Sequence, residues 1–394
     1  MLRILITGGR NPTALEMARL LHSPQTQIWL ADSLYFPIGR HSRCIDHYVH
    51  TPRVAQETEA YIEALRATIL REQIDLLIPT YEETFYIARY RHRLEDICTL
   101  FCDDFNKLQR LHRKWDFIHM TADCPLKAPP TFLLQSPEDV ALLRDDAPHY
   151  VFKPVYSRFA TQVLLRPDAA QLRFLRPSVR EPWIAQWFVE GPEYCTYSVA
   201  HHGTVTAHVA YEHPHNLGRG SGIYYRAVDQ PLIEQFVREF CQQHHYHGQI
   251  GFDFIRDQRN GKIYVIECNP RTVSGLHLFS PGDALLSAMT GTAPSVIRPG
   301  QTQPRVNLLT YLVYNGWKSL RGRQLGQWYQ DLGLAKDVIF RWDDPWPMLT
   351  QNLTLLEFCW FSLKYGLPLS EAISHDIAWN GLPNSEIQEP LKVA

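Results

Sequence analysis

The sequence carries almost no net charge. Lys and Arg number 39 and Asp and Glu number 41 among 394 residues, so there is no global basic field to hold nucleic acid or an anionic membrane surface. No stretch approaches the roughly 20 apolar residues of a membrane-spanning helix, and the short apolar run at residues 4–6 is too short for a signal peptide. We therefore expect a cytoplasmic protein that binds neither nucleic acid nor a membrane.

Zinc-binding patterns are also lacking. The eight cysteines are scattered, and the closest pair, Cys98 and Cys102, has no second half with ligand spacing elsewhere in the chain. His213 and His215 form a His-x-His pair for which no third ligand is evident. Free thiols in a reducing compartment are the expected state of the cysteines.

A complete dinucleotide-binding fingerprint is absent as well. Gly8, Gly9 and Arg10 follow a short apolar strand and precede a helix, which makes this turn a candidate anion site and Gly9 and Arg10 candidate substrate contacts. The fingerprint requires a third glycine. Asp32, at the end of the next strand, leaves binding of NAD open as an alternative.

Three regions differ in their patterns. Strands and helices alternate over the first hundred residues, which predicts a doubly wound α/β domain at 1–105. Prolines 125, 129 and 130 mark a linker within the next region, 106–300, which is rich in strands. The region 301–394 reads as mostly helical. The expected fold class is α/β (α+β).

The most informative segment reads GFDFIRDQRNGKIYVIECNPR and begins at Gly251. Two apolar runs flank the Arg-Asn-Gly sequence at 259–261, which predicts a β-hairpin. A three-residue loop places Asp253 directly opposite Glu267 on one face of the hairpin. A two-residue Asn-Gly turn would instead send the two carboxylates to opposite faces.

Two opposed carboxylates repel each other, so a compensating cation is expected. Asn269 joins Asp253 and Glu267 by the period-two alternation of a strand. Oxygen ligands of this kind suit Mg²⁺ (or Mn²⁺), which completes its shell with phosphate oxygens and water. Arg271 is then placed to meet a transferring phosphate. The alternative is an exposed hairpin with polar outer residues.

The upstream segments extend this pattern. Lys153 ends a strand, and a hinge at 184–194 leads into a second strand through an acidic turn. The order of lysine, hinge and Asp…Glu-x-Asn hairpin resembles the ATP-grasp superfamily, notably the large chain of carbamoyl-phosphate synthetase and biotin carboxylase. The resemblance spans roughly 106–275, and its most specific part is the sequence Ile-Glu-Cys-Asn-Pro-Arg at 266–271.

The resemblance implies a central ATP-grasp fold and a nucleotide site. Lys114 and Lys153 match the two basic residues that neutralise the ATP phosphates. Gln186 matches the position that accepts a hydrogen bond from the adenine amino group, and the backbone N–H of Phe188 would meet the ring edge. Glu193 matches the acidic residue that holds the ribose hydroxyls.

The resemblance also implies the reaction. Asp253, Glu267 and Asn269 match the magnesium ligands, and Lys153 and Arg271 match the cations beside the transferring phosphate. The family activates a carboxylate as an acyl phosphate with ATP, so we expect an ADP-forming ligase that joins a small-molecule carboxylate to a small-molecule amine. A homodimer is also compatible with the sequence.

Some positions depart from the family or stay open. The family has a glycine-rich flap after the strand lysine, whereas residues 154–161 contain no glycine. Ser157 and Arg158 are the candidate phosphate contacts there. Arg219 is a candidate clamp for a substrate carboxylate or phosphate, or part of a surface turn. Glu82 is a candidate substrate contact, or a helix-capping residue.

Three other functions remain open at this point. The nucleophile of an ATP-grasp enzyme can be a thiol, a hydroxyl or bicarbonate in place of an amine. A non-catalytic module in which ATP only orders the fold is slightly favoured by the glycine-free flap. The third is an NAD-dependent dehydrogenase.

Overall fold

The structure is a computed structural model of the full chain. It describes all residues except 157–162, 218–220, 302, 313–324, 380 and 382–394, and the side chains at 217, 221, 325 and 327 also lie outside the description.

The first hundred residues form a parallel sheet flanked by helices, as the alternating pattern predicts. Its strands are β1 (Leu2–Thr7), β2 (Thr26–Asp32), β3 (His47–His50), β4 (Leu76–Ile78) and β5 (Thr99–Leu100), in the spatial order β3-β2-β1-β4-β5. The helices are α1 (Pro12–Leu21), α2 (Thr58–Glu72) and α3 (Glu83–Arg89). The side chains at 4–6 of β1 are fully buried, as expected for a parallel strand covered on both faces.

The following helical segment is divided into two helices. The sequence predicts one helix from 106 to 120, but the structure has α4 (Phe105–His112) and α5 (Lys114–Met120). Arg113 between them has extended backbone angles, φ −71° and ψ 109°. This break starts a new helix at Lys114, whose N–H donates to the carbonyl of Val155 at 3.3 Å.

A small antiparallel sheet follows. Its strands are β6 (Thr131–Leu134), β7 (Tyr150–Pro154), β8 (Leu164–Leu165) and β9 (Trp183–Trp187), in the order β6-β9-β7-β8. Two short helices, α6 (Pro137–Leu142) and α7 (Ala169–Leu172), lie in its connections. Leu134, Phe152 and Ala185 belong to the separate apolar cluster of this sheet.

The largest sheet has seven strands. They are β10 (Glu193–His201), β11 (Thr204–Glu212), β14 (Tyr224–Val228), β15 (Gly248–Arg256), β16 (Ile263–Asn269), β17 (Arg305–Val306) and β18 (Lys336–Asp337). Their order is β16-β15-β10-β11-β14-β17-β18, and β12 (Asn216–Leu217) pairs with β13 (Ser221–Gly222) apart from it. Helices α8 (Pro231–Gln243) and α9 (Leu285–Met289) accompany this sheet.

The C-terminal region is helical but does not stand apart. Its helices are α10 (Leu308–Thr310), α11 (Leu325–Leu334), α12 (Trp346–Tyr365) and α13 (Leu369–Ala372). Its two short strands, β17 and β18, extend the large sheet. Among the described helices, none combines the length and apolar character needed to cross a membrane.

Buried ion pairs tie this region to the N-terminal sheet. The Arg10 guanidinium donates to Asp32 at 2.7 Å and to Asp376 at 3.0 Å, and all three side chains are buried. Arg19 pairs with Asp344 at 2.8 Å in the same manner. The Arg10–Asp376 and Arg19–Asp344 pairs each join residues more than 300 positions apart, so the C-terminal region stabilises the first domain directly.

Replacing Asp376 with Ala is expected to lower the free energy of unfolding by about 3 kcal/mol, because the Arg10 charge loses a buried partner. Burial opposes ionisation of Asp376, but the Arg10 charge holds its pKa below the ordinary value. Its contribution is therefore present at neutral pH and lost as the pH falls through this lowered pKa. Urea unfolding at neutral pH and in acid measures both effects.

The matched control is Asp145→Ala, which removes an exposed carboxylate and should change stability by less than about 0.5 kcal/mol. Equal losses in the two variants would contradict the assigned role of the Arg10 cluster.

Candidate active site

The β15–β16 hairpin brings the two predicted carboxylates together. Asp253 lies opposite Glu267, and Asn269 projects two residues further along β16. The loop itself differs from the prediction: the N–H of Asp257 donates to the carbonyl of Lys262 at 2.8 Å, so the loop covers 258–261 and is one residue longer.

A register shift restores the predicted pairing. Phe254 pairs with Val265, whereas the adjacent Asp253 pairs with Glu267, so Ile266 is the extra residue of a β-bulge. Without this bulge, Glu267 would project to the other side of the sheet. The bulge, and not the loop, therefore sets the carboxylates face to face.

Cations compensate for the opposed carboxylates. Lys114 Nζ lies 3.2 Å from Glu267 Oε2. Desolvation favours the neutral form of Glu267, but the charges of Lys114 and Lys153 hold its pKa below the ordinary value. Asp253 is different: burial and the charge of Glu267 raise its pKa to about 6, and its Oδ2 accepts a hydrogen bond from Asn269 at 3.2 Å. The positive charges of Lys114 and Lys153 therefore do not fully offset the repulsion between Asp253 and Glu267.

This donor set fits a divalent cation with oxygen ligands. The carboxylates of Asp253 and Glu267 and the side-chain amide of Asn269 line one cleft, and burial together with the charge of Glu267 raises the pKa of Asp253. Mg²⁺ takes such ligands and would remove that repulsion. Arg271 stands beside the trio, with Nη2 3.4 Å from Asn269 Oδ1.

Lys153 and Gln186 meet on neighbouring strands of the small sheet. Lys153 Nζ donates to Gln186 Oε1 at 3.0 Å, and Gln186 Nε2 donates to Thr131 Oγ1 at 3.1 Å. Burial lowers the pKa of Lys153 to about 8, with the Glu267 charge opposing this effect. A phosphate group would favour its charged form, as the resemblance implies for this position.

The structure of the hinge contradicts one expected contact. The N–H of Phe188 donates to the carbonyl of His149 at 2.8 Å, so it is not available to the edge of an adenine ring. Val189, next along the chain, lines the same cleft and makes no backbone N–H hydrogen bond to any described residue. The N–H of Val189, in place of that of Phe188, is therefore the candidate donor to an adenine ring. Glu193 also lines the cleft, and its carboxylate is half-exposed.

The glycine turn of the first domain is not an anion site. The N–H of Gly9 donates to the carbonyl of Ala31, and the N–H of Arg10 donates to Asp32 Oδ2 at 2.8 Å. The Arg10 guanidinium is engaged by Asp32, Asp376 and Ser33. The groups of Gly9 and Arg10 that were expected to meet substrate are thus engaged within the protein, although Arg10 also lines the cleft, so substrate contact there stays a prediction. Asp32 serves an ion pair where the NAD alternative needs a free carboxylate.

Glu82 has a structural contact in addition to its place on the cleft wall. Its Oε2 accepts from the N–H of Trp379 at 2.8 Å, near the C-terminal end of the described chain. Its neighbour Glu83 accepts from Thr7 and from the N–H groups of Thr80 and Tyr81. Glu82 stands at the N-cap position of α3 but makes no side-chain cap hydrogen bond, so the capping alternative is not confirmed. The candidates Ser157, Arg158 and Arg219 lie outside the described residues.

The carboxylate trio and Lys114, Lys153, Gln186, Glu193 and Arg271 line one cavity of about 820 Å³. The first domain contributes Tyr81, the large sheet contributes Tyr211 and Tyr225, and the C-terminal region contributes Val338 and Ile373. Sequence patterns could not reveal these walls, because they come together only through contacts between distant parts of the chain.

Cys195 is a further residue that the sequence did not reveal. It pairs with Asp253 across β10 and β15, so Cys195, Asp253 and Glu267 form one row across three strands. Burial raises the pKa of the Cys195 thiol well above its ordinary value. The neutral thiol can therefore hydrogen-bond to Asp253 without adding a third negative charge to the row.

A group of histidines lies elsewhere. Ring nitrogens of His201, His202 and His247 lie within 4.8 Å of one another. The rings of His202 and His247 are stacked, with centroids 4.3 Å apart, which suits ring packing better than convergence on one ion. His201 lies six residues along β10 from Cys195, about 20 Å away, so this group is remote from the cleft.

Residues 113–275 match the family model of the ATP-grasp domain. This segment contains Lys114, Lys153, the hinge and the complete carboxylate hairpin. Residues 113–275 form an ATP-grasp domain. A comparison with curated protein sequences gives no significant match.

Solved structures show the same fold. N5-carboxyaminoimidazole synthetase from Staphylococcus aureus, complexed with ADP, aligns over 77% of this chain and 80% of its own, with a TM-score of 0.60 and 15% identity. L-amino acid ligase from Bacillus licheniformis aligns over 76% and 78%, with a TM-score of 0.56 and 17% identity. Biotin carboxylase from Campylobacter jejuni, in a β-γ-ATP complex, aligns over 78% and 74%, with 0.59 and 14%. The alignment extends well beyond the ATP-grasp domain.

The hinge of the ATP-grasp domain depends on Gly191. A Cβ atom there would overlap the carbonyl oxygen of Arg256 on β15, so Gly191→Ala should force the hinge away from the large sheet. We expect the dissociation constant for Mg-ADP to rise at least about tenfold, because the hinge backbone that lines the cleft is displaced. Isothermal titration calorimetry measures it. Gly282→Ala, where a Cβ meets open space, is the control, and unchanged affinity in Gly191→Ala would contradict the role of the hinge.

Proposed function

We propose that this protein is an ADP-forming ligase that activates a small-molecule carboxylate with Mg-ATP and joins it to an amine. The observation that carries the proposal is the opposed pair Asp253 and Glu267, set in the cleft of an ATP-grasp domain with Lys114 beside it at 3.2 Å. The names of the similar structures, which include an L-amino acid ligase and a phosphoribosylamine–glycine ligase, support the same reaction class.

The proposal extends to the residues at the nucleotide end of the cleft. Lys114 and Lys153 would contact the phosphates, because both are buried lysines within the carboxylate cluster. Gln186 and the N–H of Val189 would meet the adenine, and Glu193 the ribose. Asp253, Glu267 and Asn269 would hold Mg²⁺ (or Mn²⁺), which when bound neutralises charge on the phosphates and polarises the bond that breaks.

The reaction would proceed in two balanced steps. In the first, a carboxylate oxygen of the substrate bonds to the γ-phosphorus while the bond to the ADP oxygen breaks, and Lys153 and Arg271 stabilise the charge on the phosphoryl oxygens. In the second, the amine nitrogen bonds to the acyl carbon, the bond to phosphate breaks and the nitrogen loses a proton. ADP, phosphate and the amide leave.

The acceptor end of the cleft would hold the carboxylate and the amine. Arg271 reaches it, with its guanidinium over the Tyr81 ring at 5.1 Å. The remaining wall mixes Tyr225, His277 and Asn307 with the apolar Ile373. Such a wall closes the far end of the cavity, which suits a reaction whose acyl phosphate must be kept from water.

Location in the cytoplasm is also proposed. All eight cysteines are free thiols in the structure. A reducing compartment keeps thiols in this state.

Glu267→Gln is expected to reduce the rate of ATP-dependent product formation at least about 100-fold, because the amide cannot replace the carboxylate charge at the metal site. The assay incubates the protein with Mg-ATP and pooled carboxylates and amino acids, and follows phosphate release and product mass. Glu239→Gln removes an exposed carboxylate of α8 and should retain full activity.

The products separate the rival functions. Amide masses support the proposal, whereas thioesters, esters or carboxylated products would assign a different nucleophile to the same site. Equal product from wild type and Glu267→Gln would contradict the metal assignment. Absence of any adenine-nucleotide binding by calorimetry would overturn the proposed function.

A further inference from the structure

One histidine in the cavity wall is backed by a buried carboxylate. His277 belongs to a short 3₁₀ turn, Ser274–Leu278, and lines the cleft although it is only 3% exposed. Its Nδ1 lies 3.7 Å from Oε2 of Glu16, a residue of α1 that is 1% exposed. Neither side chain takes part in the two reaction steps described above, so the pair is a candidate for a further role in the reaction.

The carboxylate of this pair is ionised. Arg341 Nη2 lies 2.5 Å from Glu16 Oε1, and although burial opposes ionisation, His277 and Arg341 hold the pKa of Glu16 below its ordinary value. At 3.7 Å the contact with Nδ1 is too long for a hydrogen bond, but the negative charge still favours a proton on Nδ1. The lone pair of the ring then lies on Nε2, which makes no hydrogen bond to any described residue.

The imidazole stands at the acceptor end of the cavity. The row that contains Asp253 and Cys195 continues to Tyr211 on β11. Because neighbouring strands are about 4.8 Å apart, the backbone of Tyr211 lies about 10 Å from that of Asp253. The ring centroid of Tyr225 is 6.0 Å from that of Tyr211, and the ring centroid of His277 is 6.1 Å from that of Tyr225. This separation leaves room for a phosphoryl group, an acyl carbon and an amine nitrogen between the carboxylates and the imidazole.

We propose that His277 is the general base of the second step, with Nε2 accepting a proton from the substrate amine, and that Glu16 is the positioning residue that stabilises the imidazolium as it forms. This role rests on the proposed ligase function and defines the nucleophile more closely, as a primary amine that enters the cleft in its ammonium form. A basic side chain must then remove a proton before the nitrogen can attack.

The proton balance of this step is complete. An ammonium nitrogen carries three protons, and the amide that forms retains one of them. The first proton passes to His277 Nε2, which frees the nitrogen lone pair to bond to the acyl carbon. The second leaves with the phosphate as the bond between the acyl carbon and the phosphate oxygen breaks. His277 returns its proton to water after the products leave.

The charges around the imidazole suit a base. Burial lowers the pKa of His277, and the charge of Glu16 opposes this effect. Arg305 on β17 and Arg341 before α12 lower the pKa further. Tyr225 on β14 adds no charge at neutral pH, because burial raises the pKa of its hydroxyl to about 12. The ring is therefore unprotonated at neutral pH, and Glu16 stabilises the proton once it arrives.

Other proton acceptors on the cavity wall have different partners. Glu82 accepts from a backbone N–H near the C-terminal end of the described chain. His213 lies 3.6 Å from Glu193, the proposed ribose contact. The ring centroid of His112 lies 5.9 Å from that of Tyr156, just beyond the strand that carries the phosphate-binding lysine. The imidazole of the 3₁₀ turn, in contrast, belongs to the acceptor end.

The first test compares two nucleophiles that differ in protonation. Hydroxylamine is largely unprotonated at neutral pH, so it converts an acyl phosphate to a hydroxamate without a base, whereas an amino-acid amine enters as ammonium. His277→Gln should lower Mg-ATP-dependent amide formation at least about 100-fold, as expected for loss of a general base, and keep hydroxamate formation within about twofold of wild type. Product mass measures the amide, and colour with ferric iron measures the hydroxamate, for the carboxylate and amine that the pooled assay identifies.

The pH dependence of His277→Gln gives a second readout. Its residual amide formation should rise about tenfold per pH unit from about pH 6 to 8, because only the free amine then reacts. His22→Gln, an exposed histidine at the C-terminal end of α1, is the matched control and should keep both rates. Calorimetry with Mg-ADP shows whether each variant is folded.

Glu16→Gln tests the positioning residue. It should slow amide formation about tenfold and spare hydroxamate formation. In wild type, amide formation should fall as the pH falls through the lowered pKa of His277, because the base must be neutral. Removing the Glu16 charge lowers that pKa further, so the acid limb should move to lower pH. An unmoved limb would contradict the role of Glu16.

The remaining outcomes separate this role from the proposed function. Equal loss of amide and hydroxamate in His277→Gln would place the residue in carboxylate activation or in folding, and unchanged amide formation would show that it takes no proton. Hydroxamate without any amide from wild type would mean a nucleophile other than an amine. Each of these results would overturn the role of His277 and leave ATP-dependent activation of a carboxylate in place. Wild type that makes neither product would overturn the proposed ligase function and this role with it.

Discussion

Two carboxylates set face to face on one hairpin determine the arrangement of the whole cleft. Asp253 and Glu267 repel each other. The neighbouring elements place either a positive charge or an uncharged group beside them. The helix ends at the extended residue Arg113, and a new helix begins with Lys114, whose side chain reaches Glu267. The small sheet supplies Lys153 from β7, and a protonated Cys195 completes the row without adding charge. The carboxylate positions are costly without a bound cation, and the proposed binding of a metal-nucleotide complex would offset this cost.

The first domain holds the C-terminal chain in place beside the site and contributes few side chains to the site itself. Its strand-to-helix turn at Gly9 and Arg10 is occupied by the Asp32 and Asp376 carboxylates, although in other α/β folds such a turn often binds phosphate. Because the guanidinium is fully buried and paired, it fixes the C-terminal chain at one position. This fixed position allows Ile373 to form part of the cavity wall.

Local patterns predicted what local interactions determine. The hairpin and the doubly wound first domain were predicted from periodicity and turn residues, and the facing register of the carboxylates was chosen for the metal chemistry that it permits. The features that the sequence did not reveal share a different cause. The use of the Phe188 N–H by His149, the pairing of Arg10 with Asp376 and the bulge at Ile266 all depend on partners that only the folded chain brings near. The predicted loop length was wrong and the bulge compensated for it, so the correct register had a partly incorrect basis.

The C-terminal region links the cleft to the surface. The inner face of α12 packs on the first domain, and the chain beyond it passes Ile373 along the cavity and brings the N–H of Trp379 to Glu82. A displacement of this helix would therefore move the chain that carries Ile373 and Trp379, so the shape of the cavity depends on how α12 packs against the first domain.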